Sequence, residues 1–285
     1  MSPDGQSFRS DGEGPGDDTK TREECVLYPV FESFDRAAFE LSRDIAEGAD
    51  MMLLILDFVE PVDDRVDEPR HVGASILSSR MDDHDVEIRS RFEEATDPVQ
   101  TVVEVAQDHD THLVIFDSNT PEPLVRVLNG GVEDRISTNV PCDVVTVERT
   151  HGHDVESLFV PVGGGPHTGL SVTVGGAIAR AIGATVELFH VVEPDEPDGT
   201  ATACFEAARE WIPPDVTVET SSVESADVTE TVVEHAARAD VTIIGEPTQN
   251  RLKQFLFGSL TDEIRAELTN TTLVCRQGSG NHFSL

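Results

Sequence analysis

Val26-Leu27-Tyr28-Pro29-Val30 is followed later in the chain by Leu158-Phe159-Val160-Pro161-Val162, and three further apolar segments recur in the same order. The offsets between matching segments stay between 129 and 133 residues. A period of that length is too long for a solenoid repeat and has the size of a compact domain. The other matching segments are 51–56 with 184–189, 112–116 with 241–245, and 142–147 with 271–275.

Each half of the chain alternates apolar strand patterns with helical patterns. Strands separated by helices predict a parallel sheet with helices on both faces. We therefore expect an α/β fold of two tandem, doubly wound, five-stranded parallel sheets. The expected segments are a disordered acidic tail at 1–24, a first domain at 25–150, a second domain at 155–277 and a C-terminal tail at 278–285. The short junction at 151–154 favours two halves packed as an intramolecular pseudo-dimer, joined through strands 142–147 and 271–275; further homodimerisation is left open.

Individual elements follow from apolar spacing and capping residues. For example, Asp97-Pro98 has the form of a helix N-cap followed by proline at the first helical position. The strands are predicted at 26–30, 51–59, 86–92, 112–116, 142–147, 157–162, 184–192, 216–222, 241–245 and 271–276. The helices are predicted at 35–48, 71–81, from 97 onward, 131–138, 168–182, 200–211, 227–239 and 259–268.

The chain is strongly acidic, with 55 acidic and 20 basic residues among 285 and a formal net charge of -35. Such a charge repels nucleic-acid phosphates and anionic membranes, so neither is an expected partner. It also repels itself unless salt screens it, and a uniformly acidic, lysine-poor surface is typical of a halophilic protein from a salty cytoplasm. An ordinary acidic cytoplasmic protein is the alternative.

The cysteines and histidines predict no metal site. Cys25, Cys142, Cys204 and Cys275 have no CxxC spacing, and thiols in apolar strands are usually small core residues. His109, His112 and His235 are interpreted as surface residues. His151 and His153 form a pair in the junction without an evident third ligand.

Ligands of a doubly wound sheet bind beyond the carboxyl ends of the strands, where the strand order reverses. In the second half, Gly163-Gly164-Gly165 follows the first strand and precedes a helix, so free amide groups and the helix dipole could receive an anion. A tight strand-to-helix turn is the plainer interpretation. After the fourth strand come Gly245, the cations Arg251 and Lys253, and Gly258-Ser259 at the start of the last helix.

The element order, the apolar-Pro-Val first strand and the 252–259 run Leu-Lys-Gln-Phe-Leu-Phe-Gly-Ser resemble the universal stress protein family across residues 25–277. Nucleotide-binding members carry glycine, two residues, glycine, nine residues, then Gly-Ser or Gly-Thr. Here Gly245 and Gly258-Ser259 match that spacing, and Thr248 stands at the second glycine. The resemblance implies ATP or AMP as the cofactor, with the adenine and ribose near Val162, Gly163 and Val191, and the phosphates near Gly245, Thr248, Gly258 and Ser259.

The first half departs from the pattern, with Asp117 and Thr120 at the two leading glycine positions and Phe31-Glu32 after its first strand. A nucleotide is therefore expected in the second half only. The resemblance implies a cytoplasmic stress-response sensor or regulator without catalytic residues, acting on an unknown protein partner. Two alternatives stay open: a member that binds no nucleotide and acts as a protein-interaction module, and an ATP-using α/β enzyme, whose Ser-Gly-Gly-x-Asp-Ser loop is missing here.

Overall fold

The computed structural model describes residues 23–31, 35–58, 86–94, 97–117, 140–150, 154–163, 168–245, 263–278 and 280–285. The strands are β1 Glu24–Val30, β2 Met52–Phe58, β3 Ile88–Glu93, β4 Asp110–Phe116, β5 Asp143–Glu148, β6 Ser157–Pro161, β7 Thr185–Val192, β8 Val218–Glu224, β9 Val241–Gly245 and β10 Thr271–Arg276. The helices are α1 Arg36–Gly48, α2 Pro98–Asp108, α3 Thr168–Ile182, α4 Thr200–Arg209 and α5 Val228–Ala236, with a short helical turn at 263–267. The expected helices at 71–81 and 131–138 lie outside the described residues.

The α/β class with a mostly parallel sheet is confirmed, but the division into two separate sheets is not what the structure contains. All ten strands form one sheet in the order β3-β2-β1-β4-β5-β10-β9-β6-β7-β8. The order therefore runs outward from the centre identically in β1–β5 and β6–β10. Among the described strands, the central β5–β10 pair is the antiparallel one, with Leu273 opposite Val147 and Cys275 opposite Val145. Each apolar strand thereby covers the other's open edge, which removes a hazard for aggregation.

The two halves share one core on the face where α1 and α3 pack together. Gly48 of α1 lies so close to α3 that a Cβ atom there would stand 1.9 Å from the Ala177 carbonyl oxygen. Arg180 of α3 donates a hydrogen bond to the Gly48 carbonyl oxygen at 2.9 Å and pairs with Asp50 at 2.9 Å. Any side chain at Gly48 would push the two helices apart, so the glycine is required for this contact.

Residues 280–285 fold back against β5 and the loop before it. The buried Asp143 carboxylate accepts hydrogen bonds from the backbone amides of Gly278 at 2.7 Å and Phe283 at 2.9 Å. The Phe283 side chain is 4% exposed and belongs to the shared core. A buried carboxylate needs donors, and the end of the chain supplies them.

The structure also adds detail to several local expectations. His109, His112 and His235 are each partly exposed, and the His235 ring also stacks on Phe189 with ring centroids 4.4 Å apart. The four cysteines are buried free thiols, and burial raises the pKa of the Cys142 and Cys275 thiols. In the described part of the chain, no helix is long and apolar enough to cross a membrane.

Candidate functional site

The fold brings four of the predicted site residues to one edge of the sheet. Leu158 lies opposite Val241 and Pro161 lies opposite Phe189 in the parallel registers. Continuing those registers places Val162 between Gly245 and His190, and Gly163 beside Val191. All lie at the carboxyl ends of adjacent strands, where ligands of this fold class bind. Thr248, Gly258 and Ser259 lie outside the described residues, so their part in the site stays a prediction.

Val162 is the buried residue of this crevice, and Gly163 is the exposed one. Val162 is buried, and its amide donates a hydrogen bond to the Phe189 carbonyl oxygen at 2.8 Å. Gly163 is exposed, and a Cβ atom added there would meet no atom of the described chain within 4 Å. Val191 is 8% exposed. The carboxyl ends of β6 and β7 therefore carry the apolar side chains of Val162 and Val191, and in the described chain nothing contacts the position of a side chain at Gly163.

His190 and Glu196 border the crevice, and sequence reasoning did not assign them to it. The His190 ring is 5% exposed, with Nδ1 2.6 Å from the Val162 carbonyl oxygen and Nε2 3.0 and 3.1 Å from the two Glu196 oxygens. The His190 ring therefore links the backbone at the end of β6 to the Glu196 side chain in the loop after β7.

A sequence signal for this pair existed but was weak. His190 is the histidine of the strand Thr185–Val192, which also contains the polar residues Thr185 and Glu187, and Glu196 stands six residues later in an acidic loop. An acidic residue is expected in almost any loop of this chain, because the chain carries 55 of them. Only the fold shows that Glu196, rather than another acidic residue, contacts the His190 ring.

The corresponding edge of the first half is filled by aromatic rings. Val30 lies opposite Asp57, so Phe31 and Phe58 occupy the positions that Gly163 and Val191 hold in the second half. Their rings stack with centroids 5.0 Å apart and an interplanar angle of 15°. Offset stacking of this kind stabilises the pair beyond its buried area. The two rings therefore occupy the position at which, in the second half, a Cβ atom on Gly163 would contact no atom of the described chain within 4 Å.

Two buried carboxylates, those of Asp57 and Asp117, also lie at the carboxyl ends of first-half strands. Asp117 and Asp57 are 3% and 4% exposed, and the Tyr28 hydroxyl donates a hydrogen bond to Asp117 at 2.8 Å. Burial, followed by the charge of Asp117, raises the pKa of the Tyr28 hydroxyl, which therefore stays a donor. Asp117, expected from the sequence to oppose phosphate, is bound into the core by this contact.

The N-terminus of α1 in the first half is also capped from within. The Asp35 carboxylate accepts hydrogen bonds from the amides of Ala37 at 3.0 Å and Ala38 at 3.1 Å, and from the Thr150 hydroxyl at 2.9 Å. An N-cap of this kind satisfies the free amides that an anion would otherwise use. At this helix, therefore, the amides of Ala37 and Ala38 already have the Asp35 carboxylate as their partner.

Comparison with known proteins shows which solved structures share this fold. No family model matches the chain, and no curated protein matches it. A putative universal stress protein structure from Pseudomonas aeruginosa UCBPP-PA14 is 15% identical over 90% of this chain and 94% of its own, with a TM-score of 0.54. A universal stress protein from Archaeoglobus fulgidus DSM 4304 is 13% identical over 89% and 96%, with a TM-score of 0.51.

The same fold serves another class of protein. The cytoplasmic domain of a prokaryotic cation chloride cotransporter is 10% identical to this chain, covers 92% of it and 98% of its own length, and has a TM-score of 0.56. At these identities the likeness concerns the fold alone. The chain has the fold seen in the universal stress protein structures.

Proposed function

We propose that this chain is a tandem universal stress protein that binds one adenine nucleotide, ATP or AMP, in its second half. It would act as a cytoplasmic sensor or regulator in a stress response rather than as an enzyme. The observation that carries the proposal is the contrast at one position. A Cβ atom at Gly163 would meet no atom of the described residues within 4 Å, whereas the stacked rings of Phe31 and Phe58 fill the matching place in the first half.

The surroundings of Gly163 suit an adenine ring. Val162 and Val191 give an apolar surface, and the exposed amide and carbonyl of Gly163 can pair with the polar edge of a base. The His190 ring, itself in contact with Glu196, fixes the Val162 backbone through the 2.6 Å contact between Nδ1 and the Val162 carbonyl oxygen. Gly245, at the end of β9, stands at the first position of the phosphate-binding spacing found in the sequence.

Calorimetric titration of the intact chain with ATP and with AMP in concentrated KCl tests this proposal. Gly258→Val and Ser259→Ala are expected to weaken binding, because they alter the two residues that the family pattern assigns to phosphate. Gly130→Val, at the corresponding glycine of the first half, is expected to leave binding unchanged. Equal effects of Gly258→Val and Gly130→Val would refute an assignment to the second half.

A second candidate function is that of a protein-interaction module without nucleotide. The exposed aromatic side chain of Trp211, 52% accessible, favours it, because aromatic residues are enriched in protein interfaces. Thr248 in place of the second family glycine favours it too. Mass spectrometry of small molecules released from gently purified protein separates the two candidates. An adenine nucleotide supports the first, and its absence, together with no binding near millimolar ATP or AMP, supports the second.

A further inference from the structure

We infer that Glu24, Asp110 and His112 form a binding site for a divalent transition-metal ion at the amino ends of β1 and β4. One ligand atom from each of the three side chains lies within 4.8 Å of the other two. The residues come from the starts of two adjacent parallel strands, β1 and β4. The amino ends of such strands meet at one edge, so the backbone itself brings the three groups together.

The distances suit ligands of one ion better than direct hydrogen bonds. His112 Nε2 lies 3.7 Å from an Asp110 oxygen and 4.0 Å from a Glu24 oxygen. Hydrogen bonds of this type are shorter than about 3.2 Å. Two ligand atoms that each stand about 2.1 Å from a metal can be separated by up to about 4.2 Å. The Glu24 side chain is exposed, so a small rotation can complete the set.

The orientation of the His112 ring is fixed by the end of the chain. Nδ1 lies 3.0 Å from the His282 carbonyl oxygen. A carbonyl oxygen only accepts, so Nδ1 is the donor of this contact, and the ring then points Nε2 toward the two carboxylates. A backbone carbonyl that holds the second ring nitrogen in this way is the usual support of a metal-binding histidine.

The strand pairing creates a repulsion that a cation would relieve. Glu24 and Asp110 lie directly opposite each other in the β1–β4 register, where like charges are destabilising. The register then shifts, because Cys25 pairs with Thr111 and Val26 pairs with Leu113. His112 is thus the extra residue of a bulge, a feature that often redirects a side chain at functional sites.

The matching corner of the second half is satisfied by protein groups instead. There Asp240 accepts hydrogen bonds from the amides of Glu156 and Ser157 and from the Ser157 hydroxyl, at 2.8 to 3.0 Å. In the first half, Asn281 donates one hydrogen bond to Asp110 at 2.9 Å. The side chains around Asp110 therefore offer ligand atoms for a metal ion, whereas those around Asp240 are bonded to one another and provide an internal comparison.

The donor set and the surrounding charge indicate the class of ion. Imidazole nitrogen with carboxylate oxygen suits zinc and its neighbours in the first transition row, whereas magnesium prefers oxygen ligands alone. Glu24 also lines a cavity of 630 Å³, where Arg180 pairs with Asp50 and Arg89 pairs with Glu23 and Glu87. The cavity has more carboxylates than these two arginines, and such an excess attracts a positive ion.

Calorimetric titration of the full chain with Zn²⁺, and separately with Mg²⁺, tests the inference. One Zn²⁺ per chain is expected, with Mg²⁺ much weaker. Asp110→Asn keeps the shape of the side chain but removes the charge, and His112→Gln removes the ring nitrogen. Each is expected to weaken Zn²⁺ binding about tenfold or more. Circular dichroism and the melting temperature without metal establish that both variants are folded.

The matched control is the histidine pair of the junction. A His151→Ala and His153→Ala double variant is expected to bind Zn²⁺ as the unaltered protein does. Co²⁺ provides a spectroscopic readout, because its visible absorption reports a protein ligand field. If His112→Gln and Asp110→Asn bind Zn²⁺ like the parent chain, or if the junction variant loses it, the inference is overturned. Absence of stoichiometric Zn²⁺ binding overturns it equally.

Discussion

At the carboxyl ends of β1 and β2 the first half places the stacked rings of Phe31 and Phe58. The second half places Gly163 and Val191 at the matching positions, with the His190–Glu196 pair beside them. The strand arrangement is the same in both halves, but aromatic rings stand in the first half where the second half has a glycine and a valine. A single fold can thus carry a candidate binding site in one half and a packed structural element in the other.

The acidic surface is expected to give the largest effect, because it acts on the whole chain. With a net charge of -35, the melting temperature should rise from 0.1 M to 3 M KCl, and most of the rise should occur below about 1 M, where the screening length has already fallen to about 3 Å. Scanning calorimetry at a series of salt concentrations measures it. A flat or falling melting temperature would contradict the proposed halophilic character.

Gly163→Phe makes the second half resemble the first. The new ring should occupy the open space above Val162, and nucleotide affinity should fall about a hundredfold or more, equivalent to about 2.8 kcal/mol. Gly163→Ala is the matched control, because a single methyl group there meets no atom of the described chain within 4 Å. Calorimetry on both variants gives the comparison. Similar affinities for the phenylalanine and alanine variants would exclude Gly163 from the site.

Tyr28→Phe tests whether the first half is a structural element. The substitution removes the hydroxyl that donates to the buried Asp117, and the expected loss of unfolding free energy is about 1–3 kcal/mol. Because this contact is buried, the loss should persist in 3 M KCl, unlike the surface repulsion. Denaturant unfolding of Tyr28→Phe, alone and combined with Asp117→Asn, measures the coupling between the two side chains. Additive effects would show that the contact contributes nothing.

Asp240→Asn gives the smallest effect and depends on pH. Burial alone would raise the pKa of the Asp240 carboxyl, but hydrogen bonds from Glu156 and Ser157 lower it below its ordinary value of 3.8. A lowered pKa stabilises the fold above the ordinary value, and that stabilisation disappears as the pH falls through the folded-state value. The expected loss at neutral pH is about 0.5–1 kcal/mol, since solvent screens this exposed group. Thermal melts at pH 7 and pH 3 should show the difference shrinking in acid.

Much of the fold could be predicted from sequence because the apolar periodicity is strong. The segment 157–162 was expected to be a strand, and β6 spans Ser157–Pro161. The predicted strand at 216–222 was displaced by two residues, because the turn in which Val216 bonds back to Pro213 delays β8 to Val218. The sequence predicts that the two halves pair. No residue pattern, however, distinguishes one continuous sheet from two separate sheets that pack together.

The candidate site could be predicted less completely. Turn glycines and a family spacing identified Val162, Gly163, Val191 and Gly245, which the fold places together. The Phe31–Phe58 stack and the His190–Glu196 pair depend on the register between neighbouring strands, which a single sequence does not state. The His112 corner depends on a bulge in the β1–β4 pairing and on the returning end of the chain, where His112 and His282 are in contact although they are 170 positions apart.

Native mass spectrometry of the intact chain with ATP or AMP, sprayed from ammonium acetate, tests the central claim most directly, because it counts bound molecules. The account predicts one nucleotide per chain for the unaltered protein, none for Gly163→Phe, and one for Gly163→Ala. Two nucleotides per chain would contradict the filled crevice of the first half. No nucleotide on any variant would contradict the open crevice of the second half as a binding site.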